Sequence, residues 1–154
     1  MMQRSFLISL ILFAFLPACQ PDHPNEVYYP FRDQVWQRFN ILSFELPVES
    51  SETPYRVLFF ARHTREFPYQ SLDFQMILRT PSGEERIREF QLSVRDSKEK
   101  FLGDWDGEQC EVSIILNREL VINKSGLLVI ELENLIPRIE TPGLLGVGIR
   151  LEQD

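Results

Sequence analysis

The clearest chemistry in this sequence lies at Cys19. It follows Leu16-Pro17-Ala18, behind a short lead carrying Arg4 and an apolar run from Phe6 to Leu16. A small residue directly before a cysteine, at the end of such a leader, resembles the bacterial lipobox. There the bond after Ala18 is cut and the Cys19 sulfur carries a diacylglycerol. The apolar run of 11 residues makes about 16 Å of helix, well short of the ~30 Å hydrocarbon core. Residues 1–18 therefore read as a lipoprotein signal peptide, with Leu16 and Ala18 as cleavage determinants. Residues 19–25 read as a lipidated tether and residues 26–154 as the folded domain. Two or three acyl chains of the palmitate kind, at ~0.8 kcal/mol per buried methylene, give stable membrane residence. Pro21 and Pro24 stiffen the tether, which holds the domain within about 20 Å of the bilayer at ~3.3–3.6 Å per residue.

The other chemistry-bearing residues are sparse. Two histidines, His23 and His63, cannot assemble a three- or four-ligand nitrogen or sulfur metal site. His63 lies in ARHTRE, a charged segment that reads as solvated, and no G-x-S-x-G elbow accompanies it. Asp104-Trp105-Asp106-Gly107-Glu108 places oxygens at alternate positions around a glycine, but the remaining acidic positions of a calcium loop are missing, so it reads as an acidic turn. Cys110, the thiol left once Cys19 is acylated, begins an apolar run and reads as buried and inert. Tyr28, Tyr29, Phe31 and Trp36 read as a first strand covering one end of the core, with a sugar-stacking platform as the alternative. No catalytic residue, metal or cofactor is expected.

Composition excludes more than it specifies. Among 154 residues, 16 Lys+Arg face 23 Asp+Glu, for a net charge of −7 and a pI near 4.9. Removing Arg4 with the leader takes the basic count from 16 to 15 and the net charge to −8 on 136 residues. Such a chain lacks the basic surplus that nucleic-acid binding requires, and anionic headgroups repel it, so attachment falls to the acyl chains. Two cysteines cannot form the disulfide framework of small secreted folds.

The elements that must position these residues follow a period of two. NILSFELP from Asn40, YRVLFFARHTR from Tyr55, Leu72 to Leu78, Ile87 to Arg95, CEVSIIL from Cys110, LLVIEL from Leu127 and the closing Leu144 to Leu151 are strand-like. Leu72, Phe74, Met76 and Leu78 alternate with Asp73 and Gln75, as a half-buried strand requires. The apolar run at Tyr55 predicts a central strand covered on both faces. Thr53-Pro54, Phe67-Pro68, Thr80-Pro81-Ser82-Gly83, Asn123-Lys124-Ser125-Gly126 and Thr141-Pro142-Gly143 separate the runs as turns. Seven to eight strands so punctuated predict an all-β fold, an antiparallel sandwich, Ig-like or jelly-roll-like. The only stretch that could be helical, Arg32 to Phe39, is short and carries no sustained 3.6-residue repeat.

The leader, the aromatic entry EVYYPF, the turn PYQSL after Phe67, TPSGEER, Phe101-Leu102-Gly103 and the closing GVGIRLE from Gly146 resemble, in the same order, the gliding motility-associated GldH lipoprotein family. The resemblance implies an envelope lipoprotein linked to surface motility and its secretion machinery, with no defining enzymatic activity. Phe67, Pro68, Tyr69 and Trp105 become candidate interaction or turn determinants. The expected function is a non-catalytic accessory that binds other envelope lipoproteins or secretion and motility proteins, anchored at the outer membrane. A glycan-binding module using Trp36, Tyr69 or Trp105 is the alternative.

Overall fold

A computed structural model describes residues 25–154. The leader, Leu16, Ala18, Cys19, His23 and nearly all of the tether lie outside the described residues. Eleven strands form in chain order: β1 (Glu26–Pro30), β2 (Val35–Gln37), β3 (Leu42–Val48), β4 (Ser51–His63), β5 (Ser71–Arg79), β6 (Glu85–Ser93), β7 (Asp104–Asp106), β8 (Gln109–Ile122), β9 (Gly126–Asn134), β10 (Glu140–Pro142) and β11 (Leu144–Glu152). Eight have five or more residues, the number that the alternation predicts. The rest are three-residue pieces, too short for any period to register.

The long strands make two antiparallel sheets, ordered β1-β11-β4-β8-β7 and β3-β9-β5-β6. The chain crosses between sheets from β3 to β4, β4 to β5, β6 to β7 and β8 to β9, so each sheet supplies one wall of a shared core. Leu72, Phe74, Met76 and Leu78 face inward on β5, as their alternation predicts, and Leu42, Phe44, Leu46 and Val48 do the same on β3. From the other wall come Val57, Phe59 and Ala61 of β4 and Val147, Ile149 and Leu151 of β11. Phe59 and Phe74 meet across the sandwich with ring centroids 4.3 Å apart.

The Arg32 to Phe39 stretch holds β2, which pairs with β10 as a separate ribbon. One buried residue fastens that ribbon to the second sheet. Asn134 Nδ2 donates to Thr141 Oγ1 (2.7 Å) and to the Trp36 carbonyl (3.3 Å), while its Oδ1 accepts from Ile136 N (3.0 Å). Three bonds on one amide meet the requirement that buried polar groups be satisfied. Trp36, thus enclosed, is fully buried and stacks on Phe31 at 5.7 Å. It is core, which removes it as a sugar-stacking ring.

The strand directions give the sandwich two unlike ends. Asn25 accepts from Leu151 N at 2.9 Å and shares a depression with Pro47, Val48, Tyr55 and Leu127. The chain thus enters the fold beside the β3–β4 turn and the start of β9. The opposite end carries the end of β4, the start of β11, the β2–β10 ribbon and the loop that contains Phe67.

Candidate functional site

At the end away from Asn25, β4 finishes at His63, whose ladder partners are Leu144 and Cys110. His63 is fully buried, which overturns its reading as a solvated residue. The charges around it in sequence belong to alternate positions that face outward, while its own position continues the inward series of Val57, Phe59 and Ala61. Three aromatic rings enclose the imidazole: Phe101 at 5.3 Å, Phe67 at 5.8 Å and Trp105 at 5.8 Å between centroids. Nδ1 donates to the Thr64 carbonyl at 2.9 Å, because a carbonyl oxygen can only accept. Nε2 is buried without a protein partner. Burial holds the imidazole pKa below its ordinary 6.5, against the opposing effect of the Thr64 carbonyl and with help from Arg95.

Phe67, Pro68, Tyr69 and Trp105 therefore converge on one end of the molecule. Phe67 is fully buried and stands edge-on to the half-buried Tyr69 at 5.7 Å. The Phe67 carbonyl accepts from Arg95 Nη2 at 2.7 Å. The guanidinium of Arg95 lies 4.3 Å from the Phe101 ring centroid, and that of Arg65 lies 4.3 Å from Trp105, a cation–π arrangement that shields the rings from water. Asp104-Trp105-Asp106 is the short strand β7, hairpinned to β8 through Gly107. Cys110 is fully buried, its Sγ donating to the Leu102 carbonyl at 3.2 Å, and burial pushes its thiol pKa up. Gly103 has φ +90°, and a Cβ there would run into the Glu111 carbonyl. That is the physical content of the Phe101-Leu102-Gly103 motif.

Outside this box the same end is open. A cleft of about 730 Å³ is lined by Tyr69, Pro137, Arg138, Ile139, Glu140 and Pro142. Beside it Phe39 is 78% exposed, Ile139 72% and Ile41 58%. Arg38 N donates to the Ile139 carbonyl at 2.9 Å, which brings these residues together.

A second cluster, on the outer face of the first sheet, was invisible to sequence reasoning. Tyr28, Gly148, Phe60 and Ser113 form one row across β1, β11, β4 and β8. The Tyr28 and Phe60 rings stack over Gly148 at 5.9 Å with planes 9° apart. Phe60 is fully buried although it faces outward, because Arg62 and Arg150 close over it, 5.3 and 4.8 Å from its centroid. The two arginines are joined by two glutamates into a closed ring: Arg150–Glu26 2.7 Å, Arg150–Glu111 3.2 Å, Arg62–Glu111 2.9 Å and Arg62–Glu26 3.8 Å. Burial raises the Tyr28 phenol pKa, and the neighbouring Arg62 works against that shift. The signal lay in pieces of the EVYYPF, FFARH and GVGIRLE strings, which touch only after folding.

Among the described residues, no three of His, Cys, Asp and Glu come together in a way that could hold a metal ion, and no helix is long and apolar enough to cross a membrane.

Fold and clusters together define an all-β sandwich with one polar, ion-paired face and one open apolar end. Its sequence is matched over residues 25–151 by the family described as GldH lipoprotein, and the chain belongs to that family. As a lipoprotein family, it places the chain in the cell envelope on a lipid anchor. No curated protein matches the chain. Among solved structures, TmCBM61 in complex with β-1,4-galactotriose is similar at 16% identity over 84% of this chain and 88% of that one. Its TM-score is 0.34.

Proposed function

We propose that this protein is a non-catalytic accessory lipoprotein of a gliding motility or secretion type of envelope machinery, acylated at Cys19 after removal of residues 1–18. In this reading it docks onto other envelope proteins with the end that holds Phe67, Pro68 and Tyr69, from a seat on the outer membrane. The observation that carries the reading is the opposition of the two ends. The tether enters beside Asn25, while the exposed Phe39, Ile41 and Ile139 lie at the far end. An exposed apolar group rimmed by polar residues marks an interaction surface, and an anchor at the opposite end turns that surface away from the bilayer. Affinity capture from membranes with identification by mass spectrometry tests it. Specific envelope proteins should be recovered with the wild-type chain and lost with Cys19→Ala. Equal recoveries from both would sink the docking role.

A further inference from the structure

The loop that follows β4 is held at one carbonyl. Thr64 O accepts from His63 Nδ1 at 2.9 Å and from Phe67 N at 3.3 Å, so the imidazole and the turn that places Phe67 share an acceptor. Thr64 N donates to the Gly143 carbonyl at 2.9 Å, and Gly143, at φ +80°, leaves no room for a side chain against the Phe67 backbone. Next to these contacts stand two walls of the open cleft, Tyr69 on the Phe67 side and Pro142 on the Gly143 side. His63 thus lies underneath the surface assigned to docking.

This place suits a neutral imidazole and not a charged one. With Nδ1 donating, Nε2 of the neutral ring is an acceptor, and a proton there turns it into a donor. Among the described residues it has no protein partner, and Arg95, which shares Phe101 with His63, already holds a buried Nε donor without one. The charges on the surrounding elements give no relief. The β6–β7 connection brings Arg95, whose Nη1 reaches the exposed Glu99 at 3.3 Å, and the loop itself brings Arg65 over Trp105. β8 supplies the Cys110 thiol and β11 the apolar Leu144, while Asp104 and Asp106 flank Trp105 on β7 as exposed side chains. An imidazolium would be a buried cation beside guanidinium, with no acceptor for its new proton, and such a group is driven toward water.

We infer that His63 is an acid-sensitive latch. Neutral, it holds the Thr64–Gln70 loop closed over the aromatic box; protonated, it is exposed as the loop lifts, and the docking end loses its shape while the strands remain paired. The consequence for docking rests on the function proposed above and adds its regulation. The closed form refuses a proton that the open form binds, because burial holds the closed-state pKa below 6.5. As pH falls from 6.5 toward that closed-state pKa, the open fraction rises by a factor approaching ten per pH unit.

Hydrogen exchange read by mass spectrometry on the full acylated chain in detergent micelles tests the latch, with each rate corrected for the intrinsic pH dependence of amide exchange. Between pH 7.5 and 5.5 the segment 64–70 of the wild type should exchange severalfold faster, while β5 and β9 keep their rates. In His63→Leu the same segment should not respond to pH. Should that variant fail to fold, the wild-type imidazole resonances decide, told apart from those of His23 by His23→Ala: His63 must titrate over the range in which the loop opens. A flat wild-type response, an equal response in His63→Leu, a titration outside that range, or acceleration spread through β5 and β9 would each overturn the latch. Partner capture at the two pH values separates this from the docking function. Recovery at pH 7.5 that is lost at pH 5.5 supports the regulation. Recovery that persists at pH 5.5 overturns it and leaves docking standing. No recovery at pH 7.5 removes docking, and the exchange rates still decide the latch.

Discussion

Phe60 lies opposite Gly148 in the β4–β11 ladder, and its ring fills the space where a side chain of Gly148 would stand. Tyr28 uses Gly146 in the same way, since a Cβ there would fall on the phenol oxygen. Glycine in a strand interior ordinarily weakens it; here it lets two rings lie flat on the sheet under a lid of arginine.

Gly148→Ala should therefore act by overpacking. The rings must lift, and the Arg62 and Arg150 guanidiniums with them, at a cost of about 1–3 kcal/mol. Urea denaturation reads this directly. Phe60→Leu combined with Gly148→Ala should recover part of the loss, and strict additivity of the two changes would contradict the contact.

The ring of Glu26, Arg62, Glu111 and Arg150 is mostly shielded, with side chains 14–28% exposed. A double-mutant cycle on Glu26→Gln and Arg150→Met should give a coupling of about 1–2 kcal/mol, above the usual surface pair because two partners are shared. Raising the salt to 1 M should reduce it only in part. A coupling of zero would mean that the guanidinium serves only as a cover for Phe60.

His63 makes stability depend on pH. Its folded-state pKa lies below 6.5, so below that pH the unfolded chain binds a proton that the folded chain refuses. The contribution is fully present above 6.5 and is lost as pH falls from there toward the folded pKa. Arg65 and Arg95 stand over the rings of the box, and Cys110 beside it has its thiol pKa pushed up by burial. Unfolding midpoints between pH 8 and 5 should fall more steeply for the wild type than for His63→Leu. Parallel curves would refute a neutral buried imidazole.

Cys110 should resist an aromatic disulfide reagent in the folded protein and react at the rate of unfolding, because the thiol is buried and its pKa raised. Fast labelling under native conditions would show that the box around His63 opens.

Phe39→Ser and Ile139→Ser should each change stability by no more than about 0.5 kcal/mol, as for surface positions generally, yet together reduce partner recovery at least severalfold. Unchanged recovery would move the docking surface elsewhere.

β3 and β5 could be read from alternation because one face of each is buried and the other is not, whereas β4 showed as an unbroken apolar run because Phe60 is buried on its second face. The ribbon of β2 and β10 could not, since its stability comes from Asn134, 98 and 7 residues away from Trp36 and Thr141 along the chain. His63 was misread for a related reason: neighbouring charges describe the opposite face of a strand, and only the register shows which face closes. The grouping of Phe67, Tyr69 and Trp105 was foreshadowed by turn motifs, but the arginines covering the rings were not, because Arg65 reaches Trp105 from a different segment and Arg95 meets Phe101 only where the β6–β7 connection folds back on itself.

The pairing of β1 with β11, Glu26 opposite Arg150, has a consequence for biogenesis. The first strand of the fold has the last one to be made as its neighbour in the first sheet. β1 can pair only once β11 has been made, and closure of that long loop completes the sheet. Truncation at the C-terminus would thus strand the opposite end of the sequence, leaving the N-terminal strand without its neighbour.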